Sequence, residues 1–355
     1  MLVFATGIAY SQGVSTSSMS GRVVDNSGET LPGANVVATH MPSGTRYGAV
    51  TNIEGRYTIP GMRVGGPYSV TVSFIGFETQ TVEGVFLSLG IAANVNVTMR
   101  GDGEELAEVV VTGDKNAVFS SDRTGATTAI GNETINKLPT ISRRIGDFTR
   151  LTPQSNGTSF AGQDNRLNNI TVDGSYFNNS FGLGGQPGDR TGVSPISLDA
   201  IDQISVNVAP YDVRQGNFTG AGVNTVTRSG TNTFTGSAYY FWRGSDNVGT
   251  QAGANTFNPG EFKYRQVGFR LGGPIIKNKL FFFASFEDDK QTTPGTNFTA
   301  NTGSEAITGN KTRVLASDMN TLSSYLRNNF GYETGPYQDY DHSTIATKFL
   351  AKVDY

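Results

Sequence analysis

Only two histidines, His40 and His342, stand in 355 residues, and cysteine is absent. A zinc peptidase needs several nitrogen or oxygen ligands around an open position. Two distant imidazoles with no His-Glu-x-x-His do not supply them, so both are read as surface or loop residues. Without cysteine there is neither a disulfide framework nor a thiolate metal site. Ser180 and Ser194 have no neighbouring His, and no Gly-x-Ser-x-Gly elbow occurs. Gly182-Leu183-Gly184-Gly185-Gln186-Pro187-Gly188 has the glycines of a phosphate loop but no strand-to-helix setting, and Pro187 sits where helix N–H groups would begin. Gly101-Asp102-Gly103-Glu104-Glu105 lacks the spaced ligands and closing Glu of a calcium loop and reads as a solvated linker. Glu287-Asp288-Asp289 reads as a solvated rim at the outer end of a strand. No catalytic constellation, metal set or cofactor site emerges, so the chain is read as a non-enzyme.

The chemistry the sequence does offer is recognition. Glu108-Val109-Val110-Val111-Thr112 puts three β-branched residues between a charge and Gly113, with no hairpin partner nearby. Such a peptide on a linker suits strand addition, in which main-chain hydrogen bonds supply affinity and alternate side chains set register; the competing reading is a core strand of the following domain. A second candidate is the Asn- and aromatic-rich stretch Tyr176, Asn178, Asn179 and Phe181, whose side chains suit contact with sugar or peptide.

The elements that must position these groups are β-rich. Glycine numbers 45, charged residues reach only 16%, yet 22 Phe and 14 Tyr make the chain too aromatic for a solvated coil. A net charge of −3 without a basic cluster points away from nucleic acid. No run of about 18 apolar residues offers a membrane helix. Leu2 to Ala9 followed by Ala9-Tyr10-Ser11 reads as the rear of a signal peptide over 1–11, with Gln12 next. Residues 12–100 contain about seven short period-two strands, a small β-sandwich. A linker spans 101–114. Over 115–229 the pattern becomes α+β: helices are expected from Asn132 to Leu138 and from Arg143, capped by Ser142, to Leu151. A strand is expected at Asn168–Val172, and a helical turn leading into a strand at Leu198–Val206. Over 230–355 four strands alternate. Phe234, Tyr240 and Trp242 share a face, as do Val267, Phe269 and Leu271, then Phe282, Ala284 and Phe286, then Phe349, Ala351, Val353 and Tyr355. That is the apolar-out, polar-in signature of an antiparallel transmembrane barrel. Long connections at 244–261 and 290–344 alternate with a short turn at 273–279. The fourth strand runs to the last residue, so the barrel is read as incomplete.

Two resemblances sharpen this reading. Gly21-x-Val23-x-Asp25, Leu31-Pro32-Gly33-Ala34, Thr51-x-x-x-Gly55-x-Tyr57-x-Ile59 and Ser73-x-x-Gly76-Phe77 resemble the carboxypeptidase regulatory-like domain, which is not catalytic despite its name. Glu108 to Thr112 resembles the TonB box of TonB-dependent receptors. Leu138-Pro139, Leu151-Thr152-Pro153, Ile170-x-Val172-Asp173-Gly174, Ile201-x-x-Ile204-x-Val206 and Gly222 to Asn232 resemble the plug domain of that family, in its large Bacteroidetes type that includes an Oar-like branch. The resemblance implies a mainly β outer-membrane protein with a periplasmic N-terminal domain, an α+β plug and the first strands of a barrel. It implies TonB, with the inner-membrane energising complex, as partner at Glu108–Thr112, outer-membrane lipid around the strands, a surface lipoprotein as a further partner, and a peptide, glycan or chelated metal as substrate. Its alternative is an Oar-like adhesion or interaction protein with a static plug.

Overall fold

The computed structural model describes residues 15–101, 126–140, 143–179, 185–189, 191–210, 215–256, 260–296 and 298–355. The signal-peptide segment 1–11, the Glu108–Thr112 peptide, Ser142, Ser180 and Phe181 lie outside the described residues. The chain divides into two compact units: Met1–Ser237 with Arg270–Ser285 and Leu350–Tyr355, and Ala238–Phe269 with Phe286–Phe349.

The first unit begins with strands β1 (Ser17–Asp25), β2 (Asn35–His40), β3 (Arg46–Val50), β4 (Arg56–Met62), β5 (Gly65–Ser73), β6 (Gln80–Leu87), β7 (Ala92–Asn94) and β8 (Val97–Met99). They make two sheets, one ordered β4–β1–β7 with β8 also on β1, the other β3–β2–β5–β6. Period-two alternation turns Met19, Val23, Val36, Ala38, Ile59, Val70 and Val72 into one shared apolar core. The motif residues hold the turns around it. Thr51 donates its hydroxyl to the Leu31 carbonyl at 2.6 Å and accepts the Ala34 amide at 2.8 Å, which closes the Leu31–Ala34 turn. Asp25 gathers the Ser27 hydroxyl and the Ser27 and Glu29 amides. The Ser27 hydroxyl and then these amides hold its carboxyl below the usual range. Gly21 is obligatory because a Cβ there would lie 1.9 Å from the Val95 carbonyl oxygen. That same oxygen accepts the buried Tyr57 hydroxyl at 2.7 Å.

His40 is not the surface residue expected from the sequence. It is only 3% exposed, bonded through Nδ1 to Ser43 Oγ at 2.7 Å and packed 5.0 Å from the Tyr68 ring. It closes β2, where alternation points it inward. Burial first, and the Arg63 charge second, lower its pKa to about 4.

The α+β part follows: β9 (Ala126–Gly131), α1 (Asn132–Lys137), α2 (Ile145–Thr149), a small hairpin β10 (Ser155–Asn156) and β11 (Ser159–Phe160), then β12 (Asn169–Val172), β13 (Ser175–Tyr176), β14 (Ile201–Ala209) and β15 (Gly222–Thr227). The sheet order is β13–β12–β15–β14–β9. Ile130, Ile135, Phe148, Phe160, Ile204, Val206 and Val223 form its core. Helix α1 ends at Lys137 because the residue before Pro139 is driven to extended backbone; Leu138 has ψ 126°. Helix α2 is shorter than the expected 143–151, since Arg143 adopts a left-handed φ of 51° that a helix cannot contain. The expected helical turn at Leu198 is a 3₁₀ turn, Leu198–Ala200, leading straight into β14.

Four long strands, β16 (Thr235–Gly244), β19 (Lys263–Ile276), β20 (Leu280–Pro294) and β23 (Asp341–Asp354), form a sheet in chain order, without closure among the described residues. Their apolar face is exposed: Phe234, Tyr240, Trp242, Phe269, Leu271, Phe349 and Val353 all point outward. The long connections are less bare than expected. The first holds β17 (Gln251–Ala252) and β18 (Asn255–Thr256); the second holds β21 (Thr299–Asn301), β22 (Lys311–Leu315) and a helix, α3 (Ala316–Phe330), stopped at Gly331 in the left-handed region.

Within the second unit the acidic run of β20 departs from a solvated rim. Glu287 and Asp289 are 1% and 4% exposed. Lys348 of β23 pairs with Glu287, and Tyr239 of β16 donates its hydroxyl to that same carboxylate. Alternation sends only the middle residue, Asp288, to the other face, where it meets Arg265 at 2.7 Å. Charges on the inner face of a sheet find partners across neighbouring strands.

Residues 18–99 are expected to fold alone, since their core and turns are self-contained. The sign of the pH effect follows from His40. Between pH 6.5 and about 4 the unfolded chain binds a proton that the folded one refuses, so stability is full above 6.5 and falls as pH drops through that window, by up to ~3 kcal/mol. Urea titrations from pH 7.5 to 4.5 should show this slope, and His40→Gln should flatten it. Equal slopes, or a disordered isolated segment, contradict this account.

Candidate functional site

The candidate site is built on the five-stranded sheet. Its hub is the antiparallel pair β14–β15, which places Ser205 opposite Asn224 and Val206 opposite Val223. Strand β12 runs parallel to β15 on one side, and β9 antiparallel to β14 on the other. One face of the hub is apolar. The other carries a buried polar chain: Thr171 donates to Asn224 Oδ1 at 2.7 Å, and Gln215 Oε1 accepts Asn207 Nδ2 at 2.6 Å and Asn224 Nδ2 at 3.4 Å. Val-rich alternation predicts the apolar face; the polar partners come together only through the fold.

The tight turn after β12 is locked by Asp173, in the left-handed region at φ 48°. Its carboxylate accepts the Thr227 amide at 2.8 Å and the Thr227 hydroxyl at 2.5 Å. Lys352 reaches the same carboxylate at 3.9 Å. Arg228 Nε donates to the Ile201 carbonyl at 3.1 Å, and Arg270 pairs with Asp199 at 3.1 Å. The Val172-Asp173-Gly174 and Thr227-Arg228 motifs thus fasten the exit of the sheet to its turn.

The candidate ligand residues fare unequally. Tyr176, on β13 opposite Thr171, is 43% exposed, and its neighbour Phe177 is similarly open. Asn178 turns inward: Oδ1 accepts the Ile170 amide at 2.7 Å and Nδ2 donates to Asn169 Oδ1 at 2.8 Å. Asn179, exposed, donates to the Gly185 carbonyl at 3.5 Å. Asn178 is therefore a positioning residue, while Tyr176 is presented. Asn169 in turn donates to the Gly216 carbonyl at 2.9 Å, which ties the stretch back to the approach to β15. Phe181 and all of Glu108–Thr112 lie outside the described residues. Among the described residues no three His, Cys, Asp or Glu side chains gather to hold a metal ion.

Sequence reasoning missed the role of Gln203. Its Oε1 accepts the Leu89 amide of the sandwich at 2.8 Å, and both groups are buried. A polar residue in an apolar strand run, Ile201-Asp202-Gln203-Ile204, was the available signal.

Asn178→Ala removes the partner of the Ile170 amide and should cost about 1–3 kcal/mol locally. Hydrogen exchange at Ile170 is expected to accelerate at least tenfold while residues 17–99 exchange as before. Unchanged protection at Ile170 would show that the side chain holds nothing.

Residues 18–100 match the carboxypeptidase regulatory-like domain family, and residues 226–352 match the outer membrane beta barrel domain family. The chain is 28% identical over 313 residues to the TonB-dependent transporter Oar of Myxococcus xanthus, covering 80% of this chain and 28% of that protein. It is 28% identical over 214 residues to the TonB-dependent receptor SusC of Bacteroides thetaiotaomicron, covering 56% of this chain and 19% of that protein. The chain thus spans less than a third of the length of either relative. Among solved structures, the siderophore receptor PirA of Acinetobacter baumannii is similar at 24% identity and a TM-score of 0.37, over 47% of this chain and 24% of that one. With a regulatory-like domain ahead of an outer membrane beta barrel domain, the chain is an outer-membrane protein related to the TonB-dependent transporters.

Proposed function

We propose that the chain serves TonB-dependent active transport across the outer membrane, with residues 115–229 as a plug that opens when TonB pairs with Glu108–Thr112 as an added strand. The observation that carries this reading is the place of β9. Among the described residues it is the first strand after the Val-rich peptide and an edge strand of the plug sheet, paired through β14 alone. A pull on the peptide arrives at Ala126, where the β9–β14 ladder can release one hydrogen-bonded pair at a time. An interior strand, held from both sides, would resist.

The polar face of the hub supports the same reading. Thr171, Asn207, Gln215 and Asn224 satisfy one another in the closed state. Water can replace those partners when the sheet shifts, so opening does not strand buried polar groups. An all-apolar interface would offer no such exchange. On the outer side, Tyr176 contacts substrate and Asn178 positions it, with Asn179 and, from the sequence alone, Phe181 as further ligand residues. Peptide, glycan and chelated metal are the substrate classes this surface suits. The partners are TonB with its inner-membrane energising complex, outer-membrane lipid against the Phe269/Leu271 and Phe349/Val353 face, and a surface lipoprotein.

Val110→Pro in the full-length protein is expected to abolish energised uptake while leaving ligand binding intact. Proline removes an N–H donor and does not sit within a paired strand. Uptake equal to wild type would sink the box assignment and leave the reading of a static, Oar-like interaction protein in its place.

A further inference from the structure

The first unit holds a contact that the motifs do not announce. One end of the β-sandwich is seated on the plug sheet and on the short turn between β19 and β20. Val64 and Leu89, which lie outside the sandwich's own core, form a buried cluster with Val226 of β15. The Leu89 amide is satisfied by Gln203 of β14. Asn232 donates its amide to the Pro42 carbonyl at 2.9 Å, just past the plug's exit. Gly44, in the turn between β2 and β3, comes so close to Asn278 that a Cβ on it would lie 3.5 Å from the Asn278 Cβ.

Two features distinguish this seat from permanent core packing. Only three apolar side chains are buried in its cluster, against the eighteen of the sandwich core. The remainder of the boundary is hollow, with cavities of about 740 and 600 Å³ whose walls mix charged, polar and apolar groups. Arg63, Asp202 and Val64 line both of them. Interfaces of this kind, small and loosely packed, are the ones that separate in use. The strands it grips, β14 and β15, are the hub on which the plug sheet is built.

We propose that the sandwich is a releasable seal on the plug, closed at rest through the Leu89–Gln203 hydrogen bond and the Val64/Leu89/Val226 cluster, and that it must unseat before β14 and β15 can shift. The proposal rests on the transport reading for its purpose. Its test does not require TonB or a known substrate.

These 355 residues hold no cysteine, so with any cysteine elsewhere in the full-length protein replaced by serine, Gly44→Cys/Asn278→Cys gives a unique pair whose Cβ separation fits a disulfide. This bond ties the sandwich to the turn between β19 and β20 and touches no plug strand. The full-length protein is placed in a planar lipid bilayer bathed in KCl, and ion conductance is recorded as urea is raised below the global unfolding range. The oxidised pair is expected to conduct at least tenfold less than the same protein after reduction, with each single-cysteine variant conducting alike before and after reduction. Leu89→Asp, which charges the seat without entering the sandwich core, is expected to raise opening about tenfold at fixed urea. Failure of the pair to cross-link, equal conductance before and after reduction, or a Leu89→Asp protein that opens like wild type would each overturn the seal. A transport defect from Val110→Pro that fails to appear would sink the TonB reading but leave these outcomes standing, so the two ideas fail separately.

Discussion

The antiparallel pairing of β14 with β15 is the joint on which the first unit depends. Strand β9 hangs from one side of it and β12 from the other. The Asp173 turn is pinned to Thr227 at its end, Arg228 returns to the Ile201 carbonyl at its start, and the sandwich is seated through Gln203. Two strands thus collect five separate attachments. Their inner residues are forced by competing demands: Ile204, Val206 and Val223 must fill an apolar core, while Ser205 donates to Asn207, Asn207 and Asn224 donate to Gln215, and Asn224 accepts from Thr171 away from bulk water. A sheet with one dry and one polar face is stable when closed and is also able to hydrate.

The long strands meet a different constraint. In hydrocarbon each backbone N–H and C=O needs a partner inside the sheet, so side chains carry the whole division between lipid and interior. Aromatic and branched residues take one face, including the Phe269–Phe286 ring pair at 5.7 Å and the Tyr240–Trp242 pair at 5.7 Å. The opposite face of β20 carries Glu287 and Asp289, charges that a barrel wall tolerates because Lys348 and Tyr239 from adjacent strands meet them. Losing Lys348 would leave two buried carboxylates with less than they need, so these residues fix strand neighbours as well as polarity.

What could be read from the sequence follows a physical divide. Local rules were legible: the motif positions of the sandwich, the Pro139 helix stop and the period-two faces of all four long strands; that Thr51 and Asp25 lock turns was visible only in the fold. Readings that needed a partner from elsewhere in the chain were not. His40 reads as a loop residue until β5 supplies Tyr68 to cover it. Glu287-Asp288-Asp289 reads as a rim until Lys348 arrives from β23. Helix α3 was hidden in a segment whose polar residues look like loop, its apolar Leu322, Tyr325 and Phe330 remaining exposed. Arg143 shortens α2 through a backbone angle that no propensity reports. Asn178 and Asn179, adjacent and chemically identical, are separated into a positioning residue and an exposed one only by the direction of the loop.

The central claim is that Glu108–Thr112 is read by TonB as a β-strand. These 355 residues lack cysteine, so single cysteines placed in turn at Glu108, Val109, Val110, Val111 and Thr112 of a full-length protein otherwise free of cysteine can be cross-linked in cells to a cysteine series on TonB's periplasmic domain. Strand addition predicts cross-linking that alternates with a period of two residues and moves in register as the TonB position is stepped. Uniform yields along the segment, or none at any of the five positions while the protein is correctly inserted in the outer membrane, would contradict it.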